Sequence, residues 1–122
     1  EETKNNDNLF LNVAFSYGGR AEIVDAAKKI VSDCKDNKLK LDELDEDRFK
    51  QYLYNSDIIY PDLVIRTGGE LRLSNFLLWE ISYSELYFVD TLWPDFDEKA
   101  MDLAIENFKH RKRTYGERKA KR

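Results

Sequence analysis

The sequence predicts an α/β fold, a parallel sheet flanked by helices, and three observations carry that prediction. Short, nearly continuous apolar runs of the kind buried on both faces occur at residues 9–15 (LFLNVAF), 62–67 (DLVIRT) and 85–89 (ELYFV). Stretches at 20–34 and 95–108 repeat their apolar residues at helical spacing. Glycine pairs, Gly18-Gly19 and Gly68-Gly69, follow the first two runs and mark sharp turns. Strands that alternate with helices in this way pair in parallel, because the helices supply the crossovers.

Residues 1–8 contain no apolar residue and read as a loop. The run 9–15 predicts a buried strand that ends at Ser16-Tyr17-Gly18-Gly19. From Arg20, the apolar positions Ile23, Ala26, Ala27, Ile30, Val31 and Cys34 form the stripe of a one-sided helix. Cys34 lies on that stripe, so it reads as a small buried hydrophobe rather than a reactive thiol. A charged connector at 36–41 leads to a short helix over 45–54, with Phe49, Tyr52 and Leu53 inward. Pro61 breaks the pattern, and 62–67 is a short aliphatic strand. Residues 75–82 (NFLLWEIS) are apolar on most sides, which predicts a helix packed inside the domain or at a subunit contact. The strand 85–89 follows. Asp95, with Glu98 three residues on, has the form of a capping box for an amphipathic helix carrying Met101, Ala104, Ile105 and Phe108. Three strands make a small sheet with open edges, a first sign of a partial domain.

With 122 residues, 42% of them hydrophobic, the chain supports one domain with a modest core, and no second domain is expected. No apolar stretch reaches the roughly 18–20 residues of a membrane-spanning helix, and the N-terminus is unlike a secretory signal. The single cysteine excludes an intrachain disulfide. The expectation is a soluble, cytoplasmic protein. From residue 109 onward, eight Lys or Arg stand against Glu117, a local charge of +7, so the net charge of −4 leaves −11 on residues 1–108. An acidic body argues against nucleic-acid binding, and the basic tail of 114–122 reads as a solvated end.

The segment Arg66-Thr67-Gly68-Gly69-Glu70-Leu71-Arg72-Leu73-Ser74-Asn75 carries the chemistry. It follows a strand and leads into an expected helix, the place where open α/β sheets bind ligands. Adjacent glycines let a ligand approach the backbone, and a helix N-terminus offers free N–H groups. Arg66 and Arg72 add forked donors suited to phosphate oxygens, and Ser74 adds a hydroxyl at the expected cap. The same residues also suit an ordinary turn with a capped helix, its arginines paired to Glu70 and Glu80. There is no Walker lysine, so pattern alone leaves both readings open.

The runs NVAFSYGGRAEI (12–23), PDLVIRTGGELRLSNFLLWEISYSELYF (61–88) and LWPDFD (92–97) resemble, in order and spacing, the second half of cis-prenyltransferases of the undecaprenyl diphosphate synthase type. The resemblance spans residues 9–116 and implies a partial cis-prenyltransferase fold. It also implies a transferase that condenses isopentenyl diphosphate with an allylic diphosphate in cis, releasing pyrophosphate and using magnesium. In that family the positions matching Arg66, Arg72 and Ser74 grip the diphosphate of isopentenyl diphosphate, with the backbone near Leu73 close by. The position matching Glu85 gives a carboxylate to the magnesium site, at or near a dimer contact. A homodimer is therefore expected, along with peripheral membrane contact through a lipid product.

The departures from the family pattern are equally specific. No run here matches the aspartate-bearing loop that holds the allylic diphosphate and magnesium in the family's first half, nor the helices that wall its product tunnel. The expectation is a C-terminal half, inactive alone, with no catalytic residue of its own. Where the family has an Arg-x-Gly element, Arg113-Thr114-Tyr115-Gly116 keeps the glycine but has Thr114 in place of the arginine. Two alternatives remain at this point, a non-catalytic partner subunit and a generic phosphate-binding α/β module. Lone His110, in the basic helix end, reads as solvated.

Overall fold

The computed structural model describes residue 2 and residues 4–113, so the tail at 114–122, with Thr114 and Gly116, lies outside the described residues. Its elements are helix α1 (Gly19–Lys35), helix α2 (Glu46–Lys50), strand β1 (Leu63–Arg66), strand β2 (Glu85–Phe88) and helix α3 (Glu98–Lys109), with 3-10 turns at Leu41–Glu43 and Trp93–Asp95. The strands pair in parallel, Leu63 opposite Glu85 and Arg66 opposite Phe88, so the α/β class and the parallel sheet are as expected. The buried apolar side chains, Ala26, Ile30, Leu39, Leu53, Ile81 and Ala104, come from both sides of this pair along the chain.

The third strand does not form. Residues 9–15 pair with no strand, and Leu9, Phe10, Leu11, Val13 and Phe15 are 71–90% exposed. A segment apolar on both faces becomes a strand only where neighbours take its backbone hydrogen bonds and cover both sides. No described residue supplies that, and the sheet has two strands among the described residues.

Helix α1 begins without a side-chain cap at Gly18. Its first donors are met from elsewhere in the chain: Gly19 N–H donates to the Asn75 carbonyl (2.7 Å) and Arg20 N–H to Asn75 Oδ1 (2.8 Å). A Cβ on Gly19 would lie 2.9 Å from Leu78 Cγ and 3.0 Å from its backbone nitrogen, so glycine is what lets the helix start sit against this segment. The inward face is Gly19, Glu22, Ala26 and Ile30; Ala27 and Val31 point outward, and Cys34 is half-buried. The stripe was placed correctly along the chain but is narrower than the sequence suggests, because a glutamate takes a core position beside it.

Residues 75–82 are a compact run of turns rather than a helix. Ser74, Asn75 and Leu77 have φ of 50°, 66° and 43°, in the left-handed region, which a right-handed helix cannot continue through. The segment is still inward-facing: Ile81 is buried, and Trp79 packs on Phe49 with ring centroids 4.5 Å apart. Its apolar character reports burial, and the Ser-Asn pair, which tolerates left-handed backbone, decides the local geometry.

The helix expected over 45–54 is shorter, five residues capped by Asp45, which accepts from Arg48 N–H (2.7 Å). Turns carry the chain on to buried Leu53, and Tyr52 hydroxyl donates to Asp33 of α1 (2.9 Å). Helix α3 is capped by Asp97, which accepts from Ala100 N–H (2.9 Å), and not by Asp95, which lies in the preceding 3-10 turn. Two acidic residues stood at capping distance, and Trp93-Pro94 commits the first to the turn. Among the described residues no helix is long and apolar enough to cross a membrane.

Candidate diphosphate site

Beyond Arg66 the chain leaves β1 through Gly68 and Gly69, with φ of 84° and 72°. This backbone costs non-glycine residues roughly 1 kcal/mol or more, which explains the pair. Gly68 N–H donates to the Thr91 carbonyl (2.9 Å) and Gly69 N–H to the Val89 carbonyl (3.0 Å), so the turn is fastened to the chain leaving β2. A Cβ on Gly69 would meet Asp90 Oδ1 at 3.1 Å, whereas one on Gly68 would meet nothing within 4 Å. The face above Gly68 is open to an approaching group.

Arg66 organises the loop. Its Nη1 donates to the Arg72 carbonyl and to Ser74 Oγ (3.1 Å), bringing three of the residues read from the sequence together. Arg66, Arg72 and Leu73 line one side of a cavity of about 230 Å³ with Val64, Ile65 and Phe76. Arg72 pairs with Glu70 in an exposed contact, so that half of the ordinary-turn reading is met. Such a pair is worth at most ~1 kcal/mol, and a doubly charged diphosphate is a stronger partner for the guanidinium. The other half is not met: Glu80 is buried and away from solvent. Ser74 is not an N-cap, because no helix follows it, and the helix-dipole contribution expected for this loop is absent. What remains is side-chain charge, a hydroxyl and the glycine backbone.

Glu85 is not brought to this loop. It opens β2 opposite Leu63, while the loop leaves the far end of the pair, about 10 Å away at ~3.3 Å per residue. Its carboxylate pairs with Arg111 at 3.0 Å, and Arg111 also donates to the Leu86 carbonyl (2.8 Å) and Asn107 (2.9 Å). As one hard oxygen donor, Glu85 fits a magnesium ion as a single anchor, the ion taking one or two carboxylates with waters and phosphate oxygens. Among the described residues no group of three His, Cys, Asp or Glu is placed to hold a metal. Arg113, the neighbour of Thr114, pairs with Asp62 just before β1. His110 is exposed beside Glu106 (3.0 Å).

Sequence reading missed the contacts of Asn75, Arg111, Glu22 and Glu80. Asn75 had a signal: a helix starting at Gly-Gly with no Ser, Thr or Asp needs its donors met from elsewhere. Arg111 and the two glutamates pair across long sequence distances, and spacing carries no trace of them.

A family model described as "Putative undecaprenyl diphosphate synthase" matches residues 1–116. The chain belongs to this family of cis-prenyltransferases. It is 60% identical over 116 residues to an isoprenyl transferase of Fusobacterium nucleatum, covering 95% of this chain and 47% of that protein. It is 53% identical to a tritrans,polycis-undecaprenyl-diphosphate synthase (geranylgeranyl-diphosphate specific) of Thermoplasma acidophilum, covering 95% and 45%. Among solved structures, lavandulyl diphosphate synthase from Lavandula x intermedia, in complex with dimethylallyl diphosphate, superposes with a TM-score of 0.81 at 42% identity, over 85% of this chain and 45% of that one. The cis-prenyltransferase fold expected from the sequence is thereby shown, and the chain spans about half the length of the curated relatives it matches.

Proposed function

We propose that residues 1–122 are the C-terminal part of a single cis-prenyltransferase domain that condenses isopentenyl diphosphate with an allylic diphosphate in cis to give a long-chain polyprenyl diphosphate of the undecaprenyl type. In this reading the chain holds isopentenyl diphosphate. The observation that carries it is Arg66, which gathers Ser74 and the Arg72 segment into one cationic loop at the C-terminal end of β1, within the stretch matched to the family. Arg66 and Arg72 neutralise the diphosphate, Ser74 donates its hydroxyl, and the backbone near Leu73 sets the distance of the loop from the ligand.

Magnesium, when bound, supplies positive charge to the departing diphosphate of the allylic substrate. Glu85 is the residue of this chain that would hold it, in exchange for Arg111. Because Glu85 lies at the far end of the strand pair from the loop, it serves best at a contact with a second copy, and a homodimer follows. The exposed apolar residues Leu92, Trp93, Met101, Leu103 and Ile105 near α3 are suited to that contact. The enzyme is placed in the cytoplasm, with peripheral membrane contact through its lipid product and no nucleic-acid partner.

Arg72→Ala in the full-length protein tests the loop. It is expected to raise the KM for isopentenyl diphosphate about 10- to 150-fold, the equivalent of ~1.5–3 kcal/mol for one charge-assisted contact, with the thermal unfolding midpoint unchanged. An unchanged KM would remove Arg72 from the site.

A further inference from the structure

Glu22 and Glu80 are the buried charged residues among those described, 1% and 5% exposed, and nothing above uses them. Glu22, on α1, accepts from the Tyr17 hydroxyl and from Tyr54 N–H (2.8 Å). Glu80, in the turns behind the diphosphate loop, is less well provided for. Its Oε2 is buried and receives no donor, while its carboxyl takes a bond from its own backbone N–H and lies within hydrogen-bonding reach of that of Glu22. Two ionised carboxylates are acceptors only, and in a dry contact they repel. A single proton between them removes the repulsion.

The donors near the pair have partners of their own. Tyr17 donates to Glu22, and its backbone neighbour is Leu77. Beside Glu80 lies a cavity of about 210 Å³ lined also by Tyr60, Asp62, Tyr83, Ser84 and Arg113. The cation there, Arg113, is paired with Asp62 and donates to the Tyr83 carbonyl (3.4 Å). Ser84 donates to the Pro61 carbonyl (2.5 Å).

We propose that Glu22 and Glu80 share one proton, Glu80 standing as a neutral acid that donates to the Glu22 carboxylate, and that this bond positions the diphosphate loop. It ties α1 to the turns at 77–81, and the same turns begin with Asn75, which caps α1, and Ser74, which Arg66 holds. The loop is thus anchored to α1 at two points, Asn75 and Glu80. Burial first, then the charge and hydrogen bond of Glu22, hold the Glu80 carboxyl above the ordinary carboxylate range, against a bond from its own backbone N–H that lowers it. A raised value in the folded state means that the fold retains the proton more tightly than the unfolded chain does. The stabilisation is therefore full below the ordinary carboxylate value and is lost as pH rises through the raised one.

The shared proton rests on the burial of both carboxyls and the partnerless Glu80 oxygen, and the positioning role rests on the diphosphate reading. The test compares the full-length wild type with Glu80→Gln, by thermal unfolding and by the KM for isopentenyl diphosphate, from about pH 5 to about pH 8. The wild type is expected to lose stability and to show a rising KM across this range at unchanged kcat. Glu80→Gln, whose amide donates the same bond at every pH, is expected to keep the low-pH stability and KM throughout. An unfolding profile for Glu80→Gln as pH-dependent as the wild type's overturns the shared proton. A flattened profile with unchanged KM behaviour overturns the positioning role. If neither protein uses isopentenyl diphosphate, the diphosphate reading fails, and the unfolding comparison still decides the proton.

Discussion

Replacing Arg66 by alanine in the full-length protein is expected to raise the KM for isopentenyl diphosphate beyond about 150-fold, more than the loss of one charge-assisted contact produces. Arg72→Ala removes a cation from the rim, whereas Arg66→Ala also removes the bonds to the Arg72 carbonyl and Ser74 Oγ. Without that brace the loop between Gly68 and Ser74 has many backbone arrangements, and the ligand must bear the cost of ordering it. Arg66→Lys keeps the charge, but its ammonium ends one bond short of the Nη1 that makes both contacts, so it should fall between wild type and Arg66→Ala. Steady-state kinetics with isopentenyl diphosphate varied, beside an unfolding curve that shows the variant intact, checks this. A KM within a few-fold of wild type would remove Arg66 from the site, both as a ligand cation and as the brace of the loop.

Replacing Glu85 by alanine is expected to act on turnover instead. Removing one group that stabilises transition-state charge costs roughly 10²–10³-fold in kcat, and Glu85→Ala should fall in that range while its demand for magnesium increases. The KM for isopentenyl diphosphate should change little, because Glu85 is at the other end of the strand pair. Stability should also change little: the Glu85–Arg111 pair is partly exposed, and Arg111 keeps its bonds to the Leu86 carbonyl and Asn107. Rates measured across a magnesium series separate the two effects. Turnover indifferent to both Glu85 and magnesium would remove the metal role.

The elements that sequence predicted well are those whose signal is local. The stripe from Ile23 to Cys34 needs only the 3.6-residue repeat, β1 needs only a short aliphatic run bounded by proline and glycine, and β2 a short apolar run. The failures are of two kinds. Residues 9–15 have the composition of a doubly buried strand, but composition states what a segment requires and not whether neighbours provide it, and the described residues leave Phe10 and Phe15 exposed. Residues 75–82 are apolar enough for a buried helix, yet left-handed backbone at Ser74, Asn75 and Leu77 turns them into a knot of turns. In the proposed site, the glycine pair and the arginines are legible as a group because a phosphate-binding loop would need those residue types close together in the chain. The Glu22–Glu80 contact and the Asn75 cap join α1 to a segment more than fifty residues on, and no local pattern reports such pairs.

The most direct test is a crystal structure of the full-length protein with isopentenyl diphosphate. The expected result is a diphosphate within hydrogen-bonding reach of Arg66, Arg72 and Ser74, with Arg72 turned from Glu70 to the ligand. A diphosphate bound elsewhere, with Arg72 still on Glu70 and the loop bare, would contradict the proposed site.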